Sequence, residues 1–543
     1  MEDFVAEAKP GHFKFFEEEL AEVNNEKHPN QEYFIYKSII LHNLYGVDIM
    51  KEAVEIAKLR LFLKLVATVD VNRRKANMGL EPLPDIDFNI RAGNTLVGFA
   101  TEQELMDGLS GDFFAQQRMD EFKEKTALVA QAFKRFQDAQ LIRQPYHEAK
   151  ADYKRRLNEL NEELNLHLSQ SYGVEPAKKA AYAKWKESHR PFHWFTEFYE
   201  IVVNNGGFDV IIGNPPYAEY HAVKYSLKTY ETLPCGNLYA FVVERNFKMM
   251  HGMSKSGMII PHSSVCTDRM GKVLSLLKQH SLWISFFGIR PSKLFDGAEQ
   301  RLCIYLMNRA GNKTYSTQYY RWSKEFRKYL FHTLQYAENF NYTKIEMSIP
   351  KLSQNTEREI LLKITKERPI SFHLIGSDAL YYNNAPRYWI RATNFPPYFS
   401  NDKGDKVSSS TKELNLDSKH NRDGLILLLN SSLFYFWYIV LSDCRHLNIR
   451  EIESFPCNLE LPKGATGLAD QLMRSFKQNK QRKETYYKTT GNVMYDEYSP
   501  KKSKAILDCI DTAVASYYAA TEVELDYIIS YDFKFRMGEQ TQE

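Results

Sequence analysis

Four consecutive residues, Asn214-Pro215-Pro216-Tyr217, concentrate chemistry at one place in this sequence. The Asn214 side chain brings one carbonyl acceptor and two N–H donors. The two prolines fix φ and hold the residue before them extended, so the amide sits on a stiff loop. Tyr217 adds a flat face. A rigid acceptor beside an aromatic plate suits a planar, nitrogen-bearing substrate. The same residues also suit a capped rigid turn, so their neighbours have to decide. The loop closes the run Phe208-Asp209-Val210-Ile211-Ile212-Gly213, which is short, apolar, β-branched and ends at glycine. It reads as a buried strand of a parallel sheet. The carboxyl ends of such strands are where open α/β sheets place their ligands.

Two earlier strand ends fall into line with it. Leu44-Tyr45-Gly46-Val47-Asp48-Ile49 is a short strand with an acid near its end, and a helical pattern runs from Lys51 to about Val69. Phe88-Asn89-Ile90-Arg91 leads into Ala92-Gly93-Asn94. In a nucleotide-binding sheet an acid at a strand end accepts hydrogen bonds from ribose hydroxyls. Asp48 suits that role, Ile49 would lie against an adenine face, and Asn94 would bond an adenine edge. Asp48 is equally a helix N-cap and Gly93-Asn94 equally a plain turn.

The elements that position these residues alternate as strands and helices up to about Met307, which predicts a doubly wound α/β sheet. Between about Thr101 and His189 the charge is dense and apolar residues fall at helical spacing. This predicts a helical hairpin inserted between two strands, read as a solvated projection, with a DNA-gripping or partner-binding arm as the alternative. Domain expectations follow: residues 1–309 catalytic, with the insertion at about 101–189, and residues 310–543 a mixed α+β region. Basic and aromatic residues interleave in the latter, as in Tyr319-Tyr320-Arg321-Trp322 and Arg387-Tyr388-Trp389. Lys403 to Ser418 is a polar, mobile loop by composition, and Leu425 to Leu441 one apolar helix. From Lys463 to Lys504 ten basic residues stand against four acidic ones, a net of +6, whereas the whole chain carries only +3. Any nucleic-acid contact must therefore be local. Six scattered cysteines without a Cys-x-x-Cys pair indicate neither a zinc site nor a disulfide framework. No apolar run approaches the roughly 20 residues that span a bilayer. A cytoplasmic location, with no membrane and no metal, is the expectation.

The tetrapeptide at Asn214 and the run before it resemble amino-group DNA methyltransferases, specifically the adenine-specific enzymes of bacterial restriction–modification systems. Leu44 to Ile49 with the helix at Ala53–Arg60 resembles the family's second motif, and Arg91 to Leu96 its third. Asn237-Leu238-Tyr239, Ile259-Ile260-Pro261 and Lys293-Leu294-Phe295-Asp296-Gly297 resemble later motifs. The resemblance covers roughly residue 40 to the end. It implies S-adenosylmethionine as cofactor, held by Asp48, Ile49, Asn94 and Asn214. It implies catalysis by Asn214, Pro215, Pro216 and Tyr217, with Tyr217 and Phe295 stacking on an adenine flipped out of double-stranded DNA. Base flipping costs a few kcal/mol, and each base–aromatic stack returns about 1–3 kcal/mol. Residues 310–543 would then recognise the DNA target.

One departure matters. The family's first motif, a strand and Gly-rich loop before Asp48, is missing; residues 1–43 contain one glycine, Gly11. That strand would lie between those ending at Asp48 and Gly213, whose backbone groups would otherwise go unpaired. The expectation is the C-terminal portion of a longer methyltransferase, completed by a second polypeptide that carries the motif or a nuclease. Two alternatives stand beside it. One is a cofactor-deficient DNA-binding fragment or specificity subunit. The other is a protein glutamine methyltransferase, which leaves the last 230 or so residues without a purpose.

Overall fold

The structure, a computed structural model, describes residues 14–25, 28, 30–74, 76–109, 114–141, 145–339, 348–386, 388–460, 465, 467–488 and 491–536. Gly11, Arg387 and Lys463 lie outside them. The architecture is mixed α/β, as expected. The chain forms two compact units: Met1–Asp209 with Ala218–Tyr230 and Phe241–Ser254, and Val210–Tyr217 with Glu231–Ala240 and Lys255–Glu543.

The first unit begins with helices α1 (Lys14–Val23) and α2 (Gln31–Asn43). Strand β1 (Gly46–Asp48) follows and pairs in parallel with β2 (Ile90–Ala92), Asp48 opposite Ala92. Helix α3 (Lys51–Val66) buries Val54 and Leu65 against Ile40, Leu41, Ile86 and Ile90. Buried Asn89 donates from Nδ2 to the carbonyls of Ile40, Leu41 and Leu44, tying β2 to the end of α2. Among the described residues no strand precedes β1, and β1 pairs with β2 alone.

The insertion is helical: α4 (Glu102–Gly108), α5 (Ala115–Leu141), α6 (His147–Ser171) and α7 (Lys179–His189). It does not project into solvent. Gln137 donates to the Leu41 carbonyl at 2.6 Å, and the Tyr153 and Phe88 rings pack edge to face at 4.6 Å. Lys150 of α6 pairs with Asp85 and Asp87. The apolar stripes of α5 and α6 are thus a core, closed partly on each other and partly on α2 and β2. Helical spacing showed the stripe but not what would cover it.

In the second unit a six-stranded sheet runs in the order β3-β4-β6-β5-β7-β8, with β3 at Phe208–Gly213 and β4 at Met250–Pro261. The other strands are β5 (Ser281–Phe287), β6 (Leu302–Asn308), β7 (Thr314–Tyr320) and β8 (Ala337–Asn339). The chain passes between the units within β3, within helix α8 (Leu238–Lys248) and within β4. Strand β7 pairs in parallel with β5, so the sheet crosses the boundary expected at residue 309. The expected single helix at Leu425–Leu441 is two, α9 (Lys419–Asn430) and α10 (Ser432–Leu441), bent by 67°. Ser431 between them is extended and its hydroxyl caps the Phe434 N–H at 3.1 Å. Every residue of α10 is buried. No single described helix is long and apolar enough to cross a membrane.

Two further sheets complete this unit, in the orders β10-β9-β13 and β12-β11-β15-β14. Their strands are β9 (Asp378–Asn383), β10 (Ala392–Thr393), β11 (Phe399–Asn401), β12 (Gly404–Asp405), β13 (Thr411–Leu416), β14 (Gln481–Tyr487) and β15 (Gly491–Glu497). Within the polar stretch Lys403–Ser418, Gly404–Asp405 and Thr411–Leu416 are paired strands where a loop was expected. β13 pairs with β9 over six residues, with Thr411 and Leu416 buried and Leu414 half-buried. Near the C-terminus Arg321 joins Asp532 at 2.5 Å and the Tyr435 hydroxyl at 3.0 Å, fastening the last helices to the sheet.

Candidate active site

In the first unit the structure brings Asp48, Ile49 and Asn94 to one end of the parallel pair. The Gly93 N–H donates to the Asp48 carbonyl at 2.9 Å. One Asp48 carboxylate oxygen accepts the Met50 N–H at 2.7 Å, and the side chain is otherwise exposed. Ile49 is exposed too, its carbonyl accepting from Arg190 at 2.9 Å. Asn94 is buried. Its Oδ1 accepts the Leu96 N–H at 3.1 Å, while its Nδ2 lies buried without a hydrogen bond of good geometry, near the Tyr225 hydroxyl. An orphaned donor of that kind costs free energy unless something fills its place. An exposed carboxylate and a buried unsatisfied amide on adjacent strand ends fit the ribose and base of a nucleoside.

Sequence reading missed what holds Asn94 in place. The Asn94 N–H donates to the Arg190 carbonyl at 2.8 Å, and Phe192 N–H to the Val97 carbonyl at 2.7 Å. Gly98 is required there: its φ is +130°, and a Cβ would stand 2.1 Å from the Phe192 carbonyl oxygen. His193 extends the clasp, with Nδ1 accepting from the Phe99 N–H at 3.2 Å and Nε2 3.1 Å from Asn165 Oδ1. Burial pushes the His193 imidazole down to about 3, so it is a neutral clamp rather than an acid–base group. The available signal was the cluster Pro191-Phe192-His193-Trp194, dense in rings just where the insertion ends.

In the second unit the Asn214–Tyr217 loop leaves β3 as predicted. Pro215 is buried and Asn214 is exposed. The Tyr217 hydroxyl lies 2.6 Å from Asn214 Oδ1 and 3.1 Å from the Ile259 carbonyl oxygen of β4, with one proton to serve both. Burial pushes this phenol up to about 12, with buried Cys303 adding a smaller effect, so it keeps its proton and donates. Its ring is half-buried against Phe287, Leu294, Leu302, Trp322 and Leu330. Leu294 of that cluster immediately precedes Phe295, and Arg327 fixes the Leu294 carbonyl at 2.7 Å. Tyr217 and the Phe295 loop thus rest on one apolar cluster, with Phe295 exposed. The chemistry available here is an amide acceptor on a rigid loop, held by a phenol with an alternative acceptor, and an exposed ring on an anchored turn.

Several known proteins are similar. A Methanocaldococcus jannaschii protein described as a type II restriction enzyme and methyltransferase is 28% identical over 328 residues, 52% of this chain. The chain spans 27% of that relative's length. Among solved structures, the Type IIL restriction-modification enzyme MmeI in complex with DNA shares 12% identity, covering 95% of this chain and 75% of its own, with a TM-score of 0.38. A nuclease-deletion mutant of the Type ISP restriction-modification enzyme LlaGI, with a DNA substrate mimic, shares 8% over 58% of this chain and 48% of its own, TM-score 0.29. Residues 42–295, which carry Asp48, Asn94, the Asn214 loop and Phe295, match the family model of the Eco57I restriction-modification methylase.

Proposed function

We propose that this chain serves methyl transfer from S-adenosylmethionine to the N6 amino group of adenine in double-stranded DNA, within a restriction–modification or phage-defence system. The observation that carries this reading is the exposed Asn214 amide, held by Tyr217 at the end of β3 on a rigid Pro-Pro loop. An exocyclic adenine nitrogen is a poor nucleophile because its lone pair is delocalised into the ring. Asn214 Oδ1 and the Pro215 carbonyl accept its two N–H groups, which favours a tetrahedral nitrogen with its lone pair free. To make room, the Tyr217 hydroxyl leaves Asn214 and keeps the Ile259 carbonyl as its acceptor. Tyr217 and Phe295 hold the flipped base between them. When bound, the cofactor supplies a methyl group on a sulfonium. Asp48 would accept from its ribose, Ile49 would cover its adenine, and Asn94 would bond the adenine edge with its orphaned amide. The lone pair takes up the methyl group before any proton leaves, so no acid–base residue is needed to start the transfer, and the surplus N–H proton then passes to solvent.

A Gly-rich strand, turn and helix on a second polypeptide would complete the cofactor site. Supporting this, among the described residues β1 is paired on one side only and β3 ends its sheet. Val210 and Ile212 of β3 are 59% and 79% exposed, which is unusual for a strand of this composition. The same observation favours a second reading, a specificity subunit that binds DNA without cofactor.

Transfer of a radiolabelled methyl group to DNA by the purified chain, alone and with its completing polypeptide, is the test. Asn214→Ala should lower the rate in the active assembly by about 10²–10³-fold, the typical loss for one transition-state hydrogen bond. A rate similar to the parent's would sink the mechanism. Titrating S-adenosylmethionine into the chain alone decides about the second polypeptide: micromolar or tighter binding refutes the need for one.

A further inference from the structure

Three side chains distant in sequence meet behind the loop that carries Asn94. Helix α8 brings Arg245, which is only 3% exposed. Helix α4 brings Glu104, and buried Tyr230 closes the segment Ala218–Tyr230. The Arg245 guanidinium donates from Nη2 to the Leu96 carbonyl at 3.3 Å and the Gly98 carbonyl at 3.5 Å. Its Nε donates to the Tyr230 hydroxyl at 2.9 Å and its Nη1 to Glu104 at 2.6 Å. Tyr230 in turn donates to the Leu96 carbonyl at 2.8 Å. Glu104 also accepts the Ala100 N–H at 2.9 Å and the Lys248 ammonium at 3.1 Å. Two carbonyls of one loop thus converge on a single cation, and every nitrogen of that cation has an acceptor.

This network reaches Asn94 through the backbone. The Leu96 carbonyl and the Val97 N–H belong to one planar peptide unit. That N–H donates to the Asn94 carbonyl at 3.0 Å, and the Leu96 N–H donates to Asn94 Oδ1 at 3.1 Å. Fixing the Leu96 carbonyl therefore fixes both the main chain and the amide plane of Asn94. With Oδ1 engaged, the buried Nδ2 is left as the free donor. Stability alone gives little reason for such a group. A buried ion pair is often no more stabilising than apolar residues of the same volume, whereas its fork of donors does fix geometry.

We propose that Arg245 is a positioning residue for cofactor binding, which acts through the Leu96 carbonyl to set Asn94 Nδ2 where the edge of the cofactor's adenine accepts from it. This rests on the assignment of Asn94 to S-adenosylmethionine above and adds the group that holds it. A lysine at the same place keeps a charge for Glu104 but offers one ammonium where the guanidinium presents a planar fork.

The test is steady-state methylation of duplex DNA by the active assembly, with radiolabelled S-adenosylmethionine varied, as a double-mutant cycle with Asn94→Ala. Arg245→Lys should raise KM for S-adenosylmethionine by about ten-fold, the equivalent of one well-made hydrogen bond, and leave kcat and KM for DNA within about three-fold. Tyr230→Phe, which removes only the phenol between Arg245 and Leu96, should raise the same KM by about three-fold. In the Asn94→Ala background neither change should raise it further. A purely structural role would instead lower the amount of active enzyme, and so the apparent kcat, at an unchanged KM. Should Arg245→Lys fail to fold, Tyr230→Phe decides. If KM for S-adenosylmethionine stays at the parent's value, or rises equally with and without Asn94, only this inference is overturned. If Asn94→Ala itself leaves that KM unchanged, the inference falls together with the assignment of Asn94. If the parent assembly methylates no DNA, it falls together with the proposed function.

Discussion

At Asn214 the expected acceptor is present but already engaged. Its oxygen holds the Tyr217 hydroxyl, and that hydroxyl has the Ile259 carbonyl within reach as a second acceptor. Tyr217 therefore has two roles, a face for a base and a proton that orients the amide until a target amine replaces it. Tyr217→Phe keeps the ring and removes the proton. In the active assembly it should leave kcat/KM within about three-fold, because a neutral hydrogen bond nets only about 1 kcal/mol and must be given up on binding anyway. Tyr217→Ala should lower it by ten-fold or more, since a base–aromatic stack is worth about 1–3 kcal/mol. Steady-state methylation of a DNA substrate separates the two. Gly98 makes a purely structural demand. Gly98→Ala should destabilise the chain by about 1–3 kcal/mol, by forcing an L side chain into a positive-φ conformation against a backbone carbonyl. Urea unfolding would show it as a lower midpoint with an unchanged slope. That glycine was invisible as a functional feature, because its partner, Phe192, lies 94 residues further along the chain.

Among the elements, helix α3 carries two apolar stripes. One stripe, Val54 and Leu65, faces the core as the pattern implies. A second, Ile56, Leu59, Leu63 and Val66, is 58%, 57%, 62% and 52% exposed. Residues at this spacing share a face, and a contiguous apolar patch marks an interaction surface. Leu59→Gln with Leu63→Gln should therefore change stability by no more than about 0.5 kcal/mol per site. Urea midpoints check this, and a loss of several kcal/mol would show that the face is core after all. The clasp between the Asn94 loop and α6 makes a pH prediction. His193 is neutral in the fold, held down to about 3 by burial, whereas an unfolded histidine titrates near 6.5. Because the folded value is depressed, the unfolded chain takes up the proton first as pH falls. The clasp's contribution is complete above about pH 6.5 and is lost progressively towards pH 3. His193→Gln, which can still accept and donate, should lose less stability than the parent between pH 7.5 and 4.5, as read from urea midpoints. The insertion teaches a related lesson. Its helices were legible from charge and spacing. Their burial was not, since it depends on Phe88 and Leu41, which precede them by tens of residues.

Across the whole molecule, what the sequence determined by itself was local. Stiff Pro-Pro geometry, the β-branched run before it, the acid and amide after two other strands, and the alternation of strands and helices are written in short windows. The structure reproduces the run Phe208–Gly213 as β3 and places Asp48 beside the Asn94 loop. Tertiary structure decided whatever needs partners distant in sequence. It set the strand order β3-β4-β6-β5-β7-β8, which carries the sheet beyond residue 309 because β7 finds β5 and not a separate domain. It turned Thr411–Leu416, the last part of the polar stretch, into a paired strand, since backbone groups that meet β9 gain hydrogen bonds whatever their side chains. It left the Asn94 amide nitrogen buried without a hydrogen bond and engaged the oxygen of Asn214, two opposite fates for the same side chain. Residue type fixes what an amide can bond; only the folded chain fixes whether a partner is within about 3 Å of it.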